Sequence, residues 1–166
     1  MKSVLLVGCA VLLVATGCDT SERIAKIEKQ NKELEAQVSK RDAAVDYDLQ
    51  AKCSKDAKVW FHDNWQSDGD TVLLNYTNHY NKAMNKCFVM VEYHYTTDKA
   101  TGSWANLMSL WDMYENAQFA DFAEHHYVRY KPKIETSEEL ITCKVAGTKC
   151  TAIEQFNSLV RPYLSN

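Results

Sequence analysis

The spacing of apolar residues predicts an α+β domain behind a long, polar N-terminal helix. Three observations carry this expectation. From Thr20 to Asn64 apolar side chains recur at spacings of three and four, the period of a helix. After the turn sequence Ser67-Asp68-Gly69-Asp70 the period changes to two, and β-branched and aromatic residues dominate as far as Val145. From Thr151 the helical period returns, with Ile153, Phe156, Val160 and Tyr163 on one side. The expected order is helix, antiparallel meander of about four to five strands, and a C-terminal helix packed on one face, with both helices on the same side of the sheet.

The chain begins with Lys2 and an uncharged run from Val4 to Ala15. The run is shorter than the about 20 residues a spanning helix needs, and it suits the apolar core of a signal peptide. It closes on Ala15-Thr16-Gly17-Cys18, which resembles the lipobox of bacterial lipoproteins, with Ala15 where Leu is usual. The resemblance covers residues 1–18. It implies cleavage after Gly17, so that 1–17 is the signal peptide, and diacylglyceryl modification of the Cys18 thiol. Each buried CH2 of such an anchor contributes about 0.8 kcal/mol, so two acyl chains hold a protein on a bilayer where one does not. The same small residues also fit an ordinary cleavage site that releases the protein. Removing the leader leaves Cys18, Cys53, Cys87, Cys143 and Cys150, an odd set. A lipidated Cys18 leaves an even one. Asp19 resembles the residue that retains enterobacterial lipoproteins on the periplasmic face of the inner membrane.

Residues 18–44 read as the lipid anchor and a polar helical stalk, and residues 45–166 as the folded domain. In the stalk Ile24, Ile27, Asn31, Leu34, Val38, Arg41 and Val45 occupy heptad a and d positions. Asn31 at an a position suits a parallel homodimer in register, and Arg41 interrupts the seam. A lone helix of about 25 residues, about 40 Å long, serves equally well as a spacer. Leu49, Cys53, Ala57, Trp60, Phe61 and Asn64 continue the helix with a richer apolar face suited to a domain core.

Strands are expected at Thr71–Tyr80, Cys87–Tyr95, Leu107–Tyr114, Gln118–Tyr127 and Ile141–Val145, with turns at 81–85, 98–102 and 115–117. In the second, Cys87, Val89, Val91, Tyr93 and Tyr95 share one face. Thr151 and Glu154 form a capping-box pattern for the last helix, and Pro162 should kink or end it. Four cysteines allow three pairings. Cys143–Cys150 across a short Gly147 turn, with Cys53–Cys87, is favoured. No cysteine pair has the spacing of a structural zinc site.

No HExxH, CxxCH, P-loop, GxGxxG or GxSxG sequence occurs, and no metal or cofactor is expected. His79 and His94, with Glu92 or Asp112, are the candidates for an acid–base or metal site in an envelope hydrolase. Asp112, Glu115, Asp121 and Glu124 are a candidate cation cluster, more readily a solvated face. His62, His125 and His126 complete the histidines. Tyr76, Tyr80, Tyr93, Tyr95, Trp104 and Trp111, with Tyr114, are crowded enough to suggest a binding patch, although core packing uses the same residues. With Lys2 removed the 19 basic residues become 18 against 22 acidic, which argues against nucleic acid as a partner.

The segment Asn75-Tyr76-Thr77-Asn78-His79-Tyr80-Asn81-Lys82-x-x-Asn85-Lys86-Cys87-Phe88, with Cys143, Cys150 and Phe156, resembles small exported bacterial proteins of no assigned function. The resemblance spans most of residues 50–163 and implies a shared fold and disulfide, with no activity to carry over. The expectation is therefore a lipid-anchored, non-enzymatic binding or envelope-accessory module. An envelope hydrolase and a structural coiled-coil dimer are the alternatives.

Overall fold

The computed structural model describes residues 17–130 and 133–165. The expected leader up to Thr16 and the Cys18 side chain lie outside the described part. Helix α1 runs Gly17–Asn64, and the chain divides into two compact units, 1–45 and 46–166. In the first unit Ile24, Ile27, Leu34, Val38 and Val45 are 48–57% exposed. No helix among the described residues is long and apolar enough to cross a membrane.

The second unit is α+β. Strands β1 (Thr71–Asn81), β2 (Lys86–Asp98), β3 (Ser103–Asp112), β4 (Ala117–Arg129), β5 (Glu135–Val145) and β6 (Thr148–Lys149) form one antiparallel sheet in sequence order. The meander thus has six strands. The two-residue β6 is too short to leave an alternating pattern. The third strand also starts earlier than the apolar run suggests, because Ser103, Ala105 and Asn106 are buried within it.

The first three hairpin turns are held by residues suited to them. Asn81 Oδ1 accepts from the Met84 N–H at 3.0 Å, and Asp112 Oδ1 accepts from the Tyr114 N–H at 3.2 Å. Both hairpins then close through an asparagine at positive φ, Asn85 and Asn116, a conformation asparagine tolerates better than most residues. At the β2–β3 turn Asp98 accepts from the Ala100 N–H and the Thr101 hydroxyl, and Gly102 takes φ 71°.

The helices lie on opposite faces of the sheet, which corrects the expectation of one. Odd-numbered β2 residues Cys87, Val89 and Val91 pack with Cys53, Ala57 and Phe61 of α1. Even-numbered Phe88 and Met90 pack with Leu110 and Phe122, under Phe156 and Val160 of α2 (Ile153–Val160). Residues 87–91 are consequently buried without a break, a pattern that alternation cannot report because both sets are apolar. The α1 face is further tied by the Tyr80 N–H donating to Gln50 Oε1 at 2.8 Å and by the Lys82–Asp46 ion pair.

The favoured disulfide pairing is present: Cys53–Cys87 joins α1 to β2, and Cys143–Cys150 joins β5 to the segment before α2. The capping box does not form. Ala152 is the N-cap residue, and the Thr151 N–H and hydroxyl both turn to Gln155 Oε1 rather than engaging Glu154. Helix α2 ends at Val160, just before Pro162, and the chain tightens into a 3₁₀ turn over Arg161–Tyr163. There Asn81 Nδ2 donates to the Pro162 carbonyl at 2.8 Å.

Candidate functional site

Cross-strand register decides which side chains meet, because directly paired residues share a face. On the α2 face the pairs Leu73↔His94, His94↔Asn106, Trp104↔His126, Asn106↔Glu124 and Glu124↔Leu140 continue the sheet beyond the helix-covered core. A further pair, His126↔Glu138, brings in β5. A one-residue bulge between Leu110 and Trp111 sets this β3–β4 register. The extra residue, Phe119, stays on the α2 side against Phe88 and Tyr163.

Three rings stand side by side across β2, β3 and β4. Trp104 stacks on His126 with centroids 3.7 Å apart and planes 9° apart, and His94 flanks the indole at 5.8 Å. Carboxylates border both imidazoles. His94 Nε2 is 3.7 Å from Glu92 Oε1. His126 Nε2 is 3.2 Å from Glu124 Oε1, and its Nδ1 is 3.3 Å from Glu138 Oε1. Between the histidines lies Asn106, 5% exposed, whose Nδ2 donates to Glu124 Oε1 at 3.3 Å. Among the described residues three buried polar atoms here lack a hydrogen-bond partner: His94 Nε2, Asn106 Oδ1 and His126 Nε2. His126 Nε2 is near its carboxylate without being aligned to bond it. A recess of about 40 Å³, lined by Thr77, Met90, Glu92 and Met108 among others, adjoins the ladder.

The six aromatics expected as one patch divide between the two faces. Tyr80 is buried, Tyr76 packs on Phe61 at 4.4 Å, and Trp111 packs on Trp60 at 5.8 Å, all under α1. Tyr93 contacts Trp65 and stacks on Tyr95 at 5.1 Å on that same face. Trp104 alone is on the opposite side. Core packing therefore claims most of these rings, as the α1 face has to be filled.

The proposed His79–His94 pairing does not form. His79 is opposite Phe88, whereas His94 is opposite Leu73. Six residues along one strand amount to about 20 Å. Asp112 is at the His79 end, 1% exposed and paired with Lys86, which also holds Glu115 at 2.7 Å. Those two carboxylates hold the Lys86 ammonium above its usual titration range. Asp121 pairs with Ser109 on the α1 face and Glu124 with Asn106 on the other, so the expected acidic cluster is split as well. Among the described residues no group of three His, Cys, Asp or Glu side chains is placed to hold a metal ion. His125 is on the α1 side, its Nε2 2.6 Å from the Thr97 hydroxyl.

Sequence reasoning picked out Trp104, His94 and Glu92, but gave His126 no role and passed over Asn106 and Glu138. The missing signal is alternation read across strands: Trp104, Asn106 and Met108 in one, Glu124 and His126 in the next. No family model, curated protein or solved structure matches the chain.

Proposed function

We propose that this chain is a lipid-anchored binding module of a bacterial cell envelope, recognising its ligand with the sheet face built around Trp104. Two disulfides support the compartment, since such bonds persist outside the reducing cytoplasm. The lipobox-like Ala15-Thr16-Gly17-Cys18 and the even cysteine set left by a modified Cys18 support the anchor.

The observation that carries the binding reading is the half-exposed His94–Trp104–His126 ladder with unpartnered polar atoms beneath it. Core imidazoles and amides are ordinarily satisfied by the fold itself. Here the fold leaves them without a partner at the end of the sheet that α2 does not cover. Rigid aromatic rings flanked by a few fixed polar groups are the usual make-up of a recognition surface.

Complementation in the source organism tests this. Trp104→Ala, made at normal level and with a melting temperature close to that of the unaltered protein, is expected to behave like a deletion. Full complementation by Trp104→Ala would contradict the reading.

The exposed apolar stripe Ile24, Ile27, Leu34, Val38 and Val45 favours a second property, self-association through residues 24–45. The two readings are compatible, since a shared membrane raises the effective concentration of the chains.

A further inference from the structure

The ladder is short of hydrogen-bond donors. Glu92, Glu124 and Glu138 are acceptors only when ionised, and a neutral imidazole offers a single N–H. His126 has a carboxylate at each ring nitrogen. In either neutral tautomer, one nitrogen lone pair faces a carboxylate oxygen. Asn106 spends its amide nitrogen on Glu124, and its Oδ1 is a buried acceptor with nothing to accept. A buried polar group left in this way weakens the fold unless a ligand supplies its partner.

Five carboxylates elsewhere in the domain have a lysine, while Asp68 and Asp98 take hydroxyl and backbone donors. Asp46 has Lys82, Asp56 has Lys52, Asp70 has Lys99, and Asp112 and Glu115 share Lys86. On the ladder face no strand position beyond Met90 and Leu110 carries a lysine or an arginine. Read by register, those positions hold Leu73 and Asn75; Glu92, His94 and Thr96; Trp104, Asn106 and Met108; Glu124, His126 and Val128; and Thr136, Glu138 and Leu140. Among the described strand positions, three carboxylates thus face two imidazoles without a lysine or an arginine.

From these observations we infer that the ladder is a binding site for a guanidinium group. A guanidinium is planar, permanently charged and supplies five N–H donors in a fixed fork. Two of them match the Glu124 carboxylate, which also accepts from Asn106 and borders His126. Its flat face can stack on an aromatic ring. An alkylammonium would bring charge without the planar fork and should bind less well. This inference rests on the ladder being a recognition surface, and it names the chemistry that surface takes. The group can come from a small ligand or from an arginine side chain of a partner protein.

The test follows the imidazole and indole resonances of the lipid-free mature chain by NMR at pH 8, above the ordinary titration range of histidine. The probes are N-acetyl-arginine amide, its lysine counterpart, N-acetyl-glutamine amide, and a short peptide with one central arginine. The expected result is saturable shifts of His94, His126 and Trp104 with the arginine probe, weaker ones with lysine and none with glutamine. Glu124→Gln, which keeps the Asn106 hydrogen bond, is expected to weaken binding about tenfold or more. A peptide that binds far more tightly than the amide identifies a protein partner, and equal affinity identifies a small ligand. Absence of saturable shifts with the arginine probes overturns the inference, as does unchanged affinity in a Glu124→Gln chain of normal melting temperature. If Trp104→Ala still fails to complement in that event, the ligand class is wrong and the binding face stands.

Discussion

Asp98 shows how single side chains set this fold. Its carboxylate accepts from the Ala100 N–H and the Thr101 hydroxyl, and these bonds, the hydroxyl foremost, hold it below the usual carboxylate range. Asp68 does the same before β1, held by Thr71 and by the Asp70 N–H. A carboxyl whose folded-state value is depressed stabilises the fold above its unfolded value, about 3.9, and loses that contribution as pH falls through the folded value. Asp98→Asn keeps the turn geometry but not the charge. Urea unfolding should therefore show the unaltered protein more stable than Asp98→Asn at about pH 6, with the gap closing as the pH falls below the ordinary carboxylate range. A gap independent of pH would mean that the ionised form is not what the turn selects. At this scale the sequence was readable wherever a residue acts on its immediate neighbours, as at 98–102. It misled at Thr151, where a glutamine one position beyond the expected glutamate took the bonds.

Elements are joined in ways that loop length makes quantitative. Cys53–Cys87 closes a separation of 34 residues and Cys143–Cys150 one of 7. Chain-entropy reasoning gives about 4 kcal/mol for the first and about 2 kcal/mol for the second. Replacing the Cys53–Cys87 pair with serine should lower the denaturant midpoint clearly more than replacing the Cys143–Cys150 pair. The reverse order would show that the α1–β2 link is not a main constraint on the domain. The stalk makes its own prediction. Sedimentation of the lipid-free mature chain should show a dimer, tightened by Asn31→Leu, which removes a polar a-position residue. A monomer in both cases would leave α1 as a spacer. Strands, turns and disulfide partners were legible because pattern and spacing are local. The placement of the helices was not, since residues 87–91 are apolar on both faces and either could have been the buried one.

Across the whole molecule, the proposed binding face depends on strand bulges, one aligning β4 with β3 and one, between Ala123 and Glu124, setting Glu138 opposite His126. Without the extra residue at Phe119, the β3–β4 hairpin would pair Trp104 with His125 and Asn106 with Ala123. The bulge brings His126 and Glu124 there instead. A one-residue slip exchanges the two faces of a strand, so the ladder could be assembled only once the register was known. His79 and His94 were attractive because neighbouring strands carry them, but strand proximity says nothing about position along the strand. The leader and Cys18 are the opposite case, written in the first 18 residues and independent of the fold. That cysteine is central to the proposed function, because its lipidation would hold the domain in the envelope and leave the other four cysteines to pair. The intact mass of the mature protein, purified from membranes of its source, tests this most directly. The predicted mass is that of residues 18–166 with both disulfides, increased by a diacylglyceryl group on Cys18. A chain that retains residues 1–17, or one that begins at an unmodified Cys18, would contradict it.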